Sequence, residues 1–476
     1  MDTRTMYGRR VITTDVSEIT ADNVVEVLKK AMEDHELNRG EIEYLWKYFK
    51  GNQPILQRTK TVRPEICNKI VENRANEIVS FKVGYLCGEP IQYVGRSNDT
   101  TVGESICALN EYMFIVDKAA LDREIVEWQM IAGTANRMVL DNEAFDADSD
   151  EAPFEMYTLD PRDSFVVYST DVKHKRMMGV KYNTDDHGFK TYSVYTDAYC
   201  FVIEDEKVTK AVAHGLGMVP IVEYPANNAR LGSFEIVLPL LDAINNIESN
   251  RMDGVEQFIQ SFMKFINCDI DEEKFKALND LGAIKIKSVD GQPADVDIVT
   301  SELDQGQTQV TKDDLYKAIL SICGLPSMSD GNTSDSSNNG AVILKNGWQG
   351  AETRAKDSEL MFKRSEKEIL KLVLKLCDGL ADLKLKLKDI DMKFTRRNYD
   401  NIQSKSQVLA TMLQQPKVHP LLAFTHCGMF SDPESAYSMS KKYYDEQMAM
   451  WDPVDVDEDD SDNDVVNEEK SDVQTG

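Results

Sequence analysis

Apolar residues recur at helical spacing near the start of the chain. One set occupies residues 24–32, behind a sequence at 20–23 that can cap a helix. A second set lies on one face of residues 39–50, and the glycine and proline of 51–54 end it. This spacing is typical of amphipathic helices. We predict two helices here, preceded by a loose arm over residues 1–20.

The same period continues further along the chain, with short strands between helices. Gly133 breaks one of these helices, and glycines with Pro90 end another. Gly and Pro at such places mark the end of a helix. The pattern predicts helices at 68–79, 105–117 and 121–131, and strands at 91–94 and 136–140.

From residue 154 to 222 polar and apolar residues alternate, which is typical of strands. Turn-forming sequences separate the alternating runs. The five predicted strands are 155–159, 165–168, 178–182, 190–195 and 199–203. This part of the chain is therefore predicted to be a β-rich subdomain.

Long helical patterns dominate the second half of the chain. Three are predicted, at 234–266, 311–323 and 341–376. A short helix and a hairpin are predicted between the first two, at 271–281, 283–287 and 296–299. The polar loop 327–340 separates the last two. Strict alternation then predicts strands at 383–388 and 390–394, followed by helices at 400–414 and 433–450.

These elements predict an α+β fold that is mainly helical. At 476 residues the chain exceeds one ordinary core, so several domains are expected. No apolar run approaches the roughly 20 residues that a membrane-spanning helix needs. The polar start of the chain lacks the apolar core of a signal peptide. We expect a protein made in a cytoplasm, with no membrane partner.

Charge changes the picture in two ways. The formal net charge of −28 argues against a protein that wraps DNA tightly. Residues 452–476 hold eleven acids and one lysine, and none of their apolar side chains is larger than valine. We predict that this acidic segment is disordered.

Candidate chemistry is sparse. The eight cysteines are scattered without a paired motif, and the histidines are dispersed, so no metal site and no cofactor is predicted. We find no phosphate-binding loop, no HExxH, no GxSxG and no EF-hand spacing. Acidic pairs in so acidic a chain are interpreted as caps or turns. We therefore expect no catalytic residues and no enzyme.

Two segments are candidates for binding. The loop 327–340 is either an unstructured connection or a functional loop that touches and releases a nucleic-acid backbone, and its composition leaves both open. Its polar candidates are Ser329, Asp330, Asn332, Ser334, Asp335, Ser337, Asn338 and Asn339. A local basic patch that suits an acidic partner protein or DNA phosphates holds Lys274, Lys276, Lys285 and Lys287. Lysines and acids interleaved along 345–375 are interpreted as a solvated helix with i,i+4 pairs, in preference to the alternative of a DNA-binding face.

Four blocks together resemble the portal proteins of tailed bacteriophages of the siphophage type. The first is Tyr48-Phe-Lys-Gly51 with Pro54-Ile55 and the segment 68–90. The others are Gly133 in its helix-to-strand turn, the segment 217–235, and Gly324-Leu-Pro326 with 339–345. Their order and spacing cover roughly residues 40–400. The family's loop usually reads Asn-any-Ser-Gly-Ala, whereas this chain has Ser337-Asn-Asn-Gly-Ala341 in a longer loop.

The resemblance implies a ring, usually a dodecamer, at a capsid vertex, with a channel for double-stranded DNA. It implies the terminase large subunit, a head–tail adaptor, and the major capsid and scaffolding proteins as partners. It divides the chain into an N-terminal arm (1–25), a wing (26–230), a stem helix (231–266) and a clip (267–307). A second stem helix (308–323) follows, then a tunnel loop with a long wing helix (324–380), a crown (381–450) and an acidic tail (451–476). The alternative is a non-portal structural scaffold or interaction protein of a virus particle.

Overall fold

The computed structural model describes residues 8–96, 100–146, 150–259, 262–266, 295–299, 305–326, 347–381, 383–396, 402–430 and 433–449. Contacts divide the chain into two compact units, Met1–Tyr399 and Asp400–Gly476. The first mixes helices and sheets, and the described part of the second is helical.

One helix, α1 (Val24–Phe49), stands where two were predicted. His35 and Asn38 suggest a polar interruption in the sequence, yet both are buried. The His35 ring stacks on Phe165 with centroids 4.3 Å apart. The Asn38 side chain accepts a hydrogen bond from the N–H of Arg10 at 2.8 Å and donates to its carbonyl at 3.0 Å. Because these polar groups are satisfied, the helix continues through them.

A six-stranded sheet forms the β-rich part of the first unit. Its strand order is β1-β5-β6-β7-β8-β9, all antiparallel neighbours except the parallel pair β1 and β5. The period-two predictions are confirmed for four of these strands, and β9 was missed because nearly all of its side chains are exposed and show no alternation. The strands are β1 (Ile12–Thr14), β5 (Ser164–Ser169), β6 (Arg176–Thr184), β7 (Lys190–Tyr195), β8 (Tyr199–Glu204) and β9 (Lys207–Ala213).

Residues 8–14 correct the prediction of a loose N-terminal arm. The strand β1 pairs with β5, and Arg9 is buried in an ion pair with Glu41 at 3.0 Å and another with Glu235. A three-residue strand is too short to show a period, so the sequence pattern could not reveal it.

A three-stranded antiparallel sheet, ordered β10-β3-β4, packs beside α4. It consists of β3 (Thr134–Asp141), β4 (Phe154–Leu159) and β10 (Ile221–Pro225). The helices before it are α2 (Arg74–Cys87), α3 (Thr100–Ile115) and α4 (Lys118–Ala132). Gly133 ends α4 at φ +79°, and a Cβ atom there would lie 2.0 Å from the Arg230 carbonyl oxygen, so only glycine fits this turn.

The predicted helix over 234–266 is wrong in its last turns. A 3₁₀ turn (Glu235–Val237) leads into α5 (Leu238–Ile259), and β11 (Phe262–Ile266) follows. That strand pairs antiparallel with β12 (Asp295–Val299). The sequence had instead paired 296–299 with a strand at 283–287, which lies outside the described residues. The next helix, α6 (Gln305–Cys323), begins six residues earlier than predicted. The predicted helix at 271–281 also lies outside them.

The long helix α7 (Trp348–Ala381) extends beyond its predicted end. Of the two strands predicted after it, only β13 (Ile390–Lys393) forms, paired antiparallel with β2 (Gln92–Gly95). Residues 387–389 make a 3₁₀ turn instead. The main core of the first unit gathers side chains of α1, α2, α4, α5, α6 and α7, and a second core lies between α1 and the six-stranded sheet.

Three helices form the described part of the second unit: α8 (Ile402–Leu413), α9 (Pro420–Cys427) and α10 (Pro433–Ala449). The first and last were predicted, and α9 was missed because it has only two turns. Phe424 anchors this unit, with its ring 5.2 Å from Phe430 and 5.8 Å from Tyr437.

Candidate channel and assembly site

The predicted binding residues lie outside the described part of the chain. This holds for the loop residues from Ser329 to Asn339 and for Lys274, Lys276, Lys285 and Lys287. What the structure describes is the framework from which both segments depart: the helices α5, α6 and α7 and the strands β11 and β12.

The helices α5 and α6 form an antiparallel pair. A hydrogen bond joins Arg251 to Gln309 at 3.0 Å, and an ion pair joins Glu248 to Lys312 at 2.7 Å. Residue numbers therefore rise along one helix as they fall along the other. The Lys312 ammonium also contacts Glu72 at 2.8 Å. The pair is thereby tied to the segment that precedes α2.

A ladder of polar side chains fastens α5 to residues 68–72. Asn245, Ser249 and Asp253 recur every four residues and are buried on one face of the helix. They accept hydrogen bonds from the backbone N–H groups of Glu72, Ile70 and Asn68 at 2.8, 3.0 and 2.7 Å.

This ladder explains why the predicted helix at 68–79 starts only at Arg74. The N–H groups of residues 68–72 bond to α5 side chains, so the segment runs beside that helix in an irregular conformation. Asp253 further contacts Arg58 and Lys60, each at 3.0 Å.

The two ends that flank the predicted loop meet. Gly324 ends α6 at φ +69°, and the Arg354 guanidinium of α7 donates to the Ile322 carbonyl at 2.7 Å. A Cβ atom on Gly347, just before α7, would lie 3.7 Å from the Pro326 Cα atom. The chain therefore departs after Pro326 and returns at Gly347 to the same place.

A buried ionic cluster holds α7 against the rest of the first unit. Lys118 and Asp122 of α4 pair at 2.7 Å, and Arg137 of β3 contacts Asp122 at 2.7 Å. Glu366 of α7 receives Lys118 at 3.1 Å and Arg137 at 3.2 Å. The hydroxyls of Tyr93 and Tyr224 also donate to Glu366, so groups from four other elements converge on this carboxylate of α7.

The cluster keeps Glu366 ionised although its side chain is fully buried. Burial alone would raise the pKa of Glu366, but the charges of Lys118 and Arg137 and the two tyrosine hydroxyls hold it well below its usual range. Burial, with the nearby Glu366 charge, raises the pKa of Tyr93 and Tyr224, which remain neutral donors.

Sequence reasoning missed this cluster. The helix over 345–375 was interpreted as solvated, and the pairs Glu352–Lys356 and Glu359–Lys363 do lie at i,i+4 as expected. Glu366, by contrast, is buried between charges from α4 and β3. A signal was available, because Glu366 shares a helical face with the apolar residues Phe362, Ile369, Leu370 and Val373.

No group of three or more His, Cys, Asp or Glu residues that could hold a metal ion occurs among the described residues. Within the same ranges, no helix is long and apolar enough to cross a membrane. The charged groups described above pair with one another and hold neighbouring helices and strands in contact.

No curated protein matches the chain. Similar solved structures include a chain from the neck of an empty GTA particle computed with C6 symmetry, 10% identical, with a TM-score of 0.45 over 75% of this chain and 90% of that chain. Another comes from the neck of a native GTA particle computed with C12 symmetry, 11% identical, with a TM-score of 0.41 over 75% and 89%.

A family model described as "Phage portal protein, SPP1 Gp6-like" matches residues 28–452. The match includes most of α1, every described strand except β1, the α5–α6 pair, the long α7 and the helices of the second unit. The chain therefore belongs to the SPP1 Gp6-like family of phage portal proteins.

Proposed function

We propose that copies of this chain close into a ring, a dodecamer, at one capsid vertex, and that duplex DNA passes through its channel during packaging and ejection. The observation that carries the proposal, given the family, is the meeting of Pro326 and Gly347 at the end of α6. A segment tethered at two adjacent points on rigid helices is suited to project toward a channel without loosening the ring. In this proposal residues 329–339 face the DNA.

The remaining parts take the roles that the family suggests. The helices α5 and α6 form the stem, and 267–307, with Lys274, Lys276, Lys285 and Lys287, form the clip that meets the terminase large subunit and later the head–tail adaptor. Residues 26–230 with α7 form the wing, toward the major capsid and scaffolding proteins. Residues 381–450 form the crown, and assembly takes place in the host cytoplasm.

Charge supports passage of DNA rather than its capture. A chain of net charge −28 repels a polyanion, and screening over about 8 Å at physiological salt confines that repulsion to short range. DNA inside such a ring would slide without adhering to the wall. This role needs no catalytic residue in the chain.

Deleting Asn332–Asn338 tests the role of the loop. Rings should still form, because the Pro326–Gly347 junction and the α5–α6 pair are untouched, whereas the number of DNA-filled heads should fall. A variant with glycine and serine at the same positions is the matched control, and it should package normally if length and polarity are what matter. Packaged DNA is measured by nuclease protection. Normal filling of heads by the deletion variant would contradict a DNA-facing role.

A further inference from the structure

A cleft of about 680 Å³ lies in the first unit, away from the α5–α6 pair. One wall is a face of α7 that includes Met361, Arg364 and Glu368, at helical spacing. The opposite wall is the turn between β5 and β6 with the start of β6, and β10 contributes to the lining between them. The cleft is open to solvent and is not used by the proposed DNA channel.

The charge of this cleft opposes that of the chain. Its lining holds six cations and three carboxylates, a net charge of +3 in a chain of −28. The cations are Lys173, Lys175, Arg176, Arg230, Arg364 and Lys371. A local excess of positive charge in so acidic a chain attracts acidic groups selectively.

Arg176, at the start of β6, is held in the wall of the cleft by a carboxylate of α7. Its side chain is 13% exposed, and its Nη2 atom contacts Glu368 at 2.9 Å. Glu368 is shared, since the Lys371 ammonium binds its other oxygen at 2.5 Å. The Nη1 atom of Arg176 is buried and has no protein partner among the described residues. Arg176 and Lys371 are thus held by one carboxylate, and Glu368 does not neutralise both of them.

Two further cations of the cleft are exposed to solvent. The side chains of Arg364 and Lys173 are exposed, and neither makes a hydrogen bond or ion pair with the part of the chain that the structure describes. They belong to the two walls of one concave surface, Arg364 to α7 and Lys173 to the turn between β5 and β6. This arrangement suits several carboxylates of one ligand.

The shape and lining favour a peptide over duplex DNA. Apolar side chains, Val219, Val222 and Met361, lie between the cations, and Glu223 and Asp197 are already present in the cleft. A surface for the phosphate backbone needs cations without such acids, and it must accommodate a wide rigid duplex. A concave, partly apolar cleft of this volume accommodates a narrow chain with alternating acidic and apolar residues.

We propose that this cleft binds an acidic peptide segment of a partner polypeptide. One carboxylate pairs with Arg364, a second pairs with Lys173, and an apolar side chain packs on Met361. The inference does not depend on passage of DNA or on closure of a ring, because all of these groups belong to one copy of the chain.

The test is a titration of the full-length protein with a short fluorescent peptide in which Asp or Glu alternates with Val. A peptide with Asn and Gln at the acidic positions is its control. We expect binding of the acidic peptide only, and a loss of at least about tenfold in affinity in Arg364→Glu and in Lys371→Glu, since each replaces an attraction with a repulsion.

Lys356→Glu is the matched control variant, because Lys356 is an exposed lysine on the same helix outside the cleft. It should bind the peptide within about twofold of the parent, since charges farther than a Debye length are screened. All three variants should keep the thermal unfolding midpoint of the parent.

Three outcomes would overturn the proposal. The first is absence of binding by the parent protein. The second is equal weakening in Lys356→Glu, which would indicate attraction by net charge alone. The third is displacement of the peptide by duplex DNA at matched charge concentration, which would assign the cleft to phosphates. Because peptide binding is measured on the protein in solution, failure here leaves the packaging result of the loop deletion unaffected.

Discussion

Glu366 is a single buried charge on which the position of α7 depends. An ion pair taken out of water gains little net stability, because desolvation offsets the attraction. A buried ion pair instead fixes the relative position of the elements that carry it, because removing one partner leaves the others buried and uncompensated. Lys118, Arg137, Tyr93 and Tyr224 come from four elements, and each contacts Glu366 only when α7 lies in one register.

Glu366→Gln should lower the free energy of unfolding by about 3–5 kcal/mol, since two cations then share only Asp122. The loss should depend on pH. The folded pKa of Glu366 lies below its ordinary value of 4.5, so its stabilising contribution is present above pH 4.5 and is lost as the pH falls further. Chemical unfolding at several pH values measures both effects.

Asp357→Asn on the exposed face of α7 is the matched neutralisation, and it should change stability by less than about 0.5 kcal/mol. An equal effect of the two substitutions would show that the buried cluster does not hold the helix.

The burial and partners of individual polar residues were the features least predictable from the sequence. Composition and i,i+4 spacing treat Glu366 and Glu359 alike, and only the tertiary approach of α4 and β3 distinguishes them. The continuity of α1 through residues 33–38 was missed for the same reason, since the partners of His35 and Asn38, Phe165 and Arg10, are distant in sequence. A buried polar group can be interpreted only when its partner is known.

At the scale of elements, α5 is fixed by its polar ladder rather than by apolar packing alone. Asn245, Ser249 and Asp253 accept hydrogen bonds from backbone N–H groups of residues 68–72, and the Asn68 side-chain amide also donates to Asp253 at 3.0 Å. The junction of α5 with the segment before α2 thus fixes three backbone N–H groups at successive turns of the helix, which resists sliding along it.

Asp253→Asn should loosen this junction without unfolding the unit. The N–H of Asn68 loses its charged acceptor, and Arg58 and Lys60 lose their counter-ion. Amide hydrogen exchange in residues 58–72 should become about tenfold faster, equivalent to about 1.4 kcal/mol of local opening.

Glu256→Gln, one turn farther along α5, serves as the control and should leave that exchange unchanged. If exchange in Asp253→Asn equals that of the parent, the ladder does not hold the segment.

Element types were largely predictable, and their boundaries less so. Alternation found β5 to β8 because one face of each strand packs on a core. The apolar run near residue 260 fits both periods, so the change from α5 to β11 could not be located from spacing. The strand β1 owes its existence to pairing with β5, which local pattern does not encode.

At the scale of the whole molecule, family membership over residues 28–452 identifies a phage portal protein, and closure of a ring is the property on which the proposed function rests. A ring needs a heterologous interface that closes on itself. Copies of net charge −28 repel one another, so such an interface requires local complementarity.

Negative-stain imaging of the purified protein, with native mass determination in parallel, tests ring closure most directly. We expect closed rings of one subunit number, twelve if the family's usual state holds, with a central opening close to the width of duplex DNA. A stable monomer at micromolar concentration, unchanged by added scaffolding protein, would contradict the proposed channel.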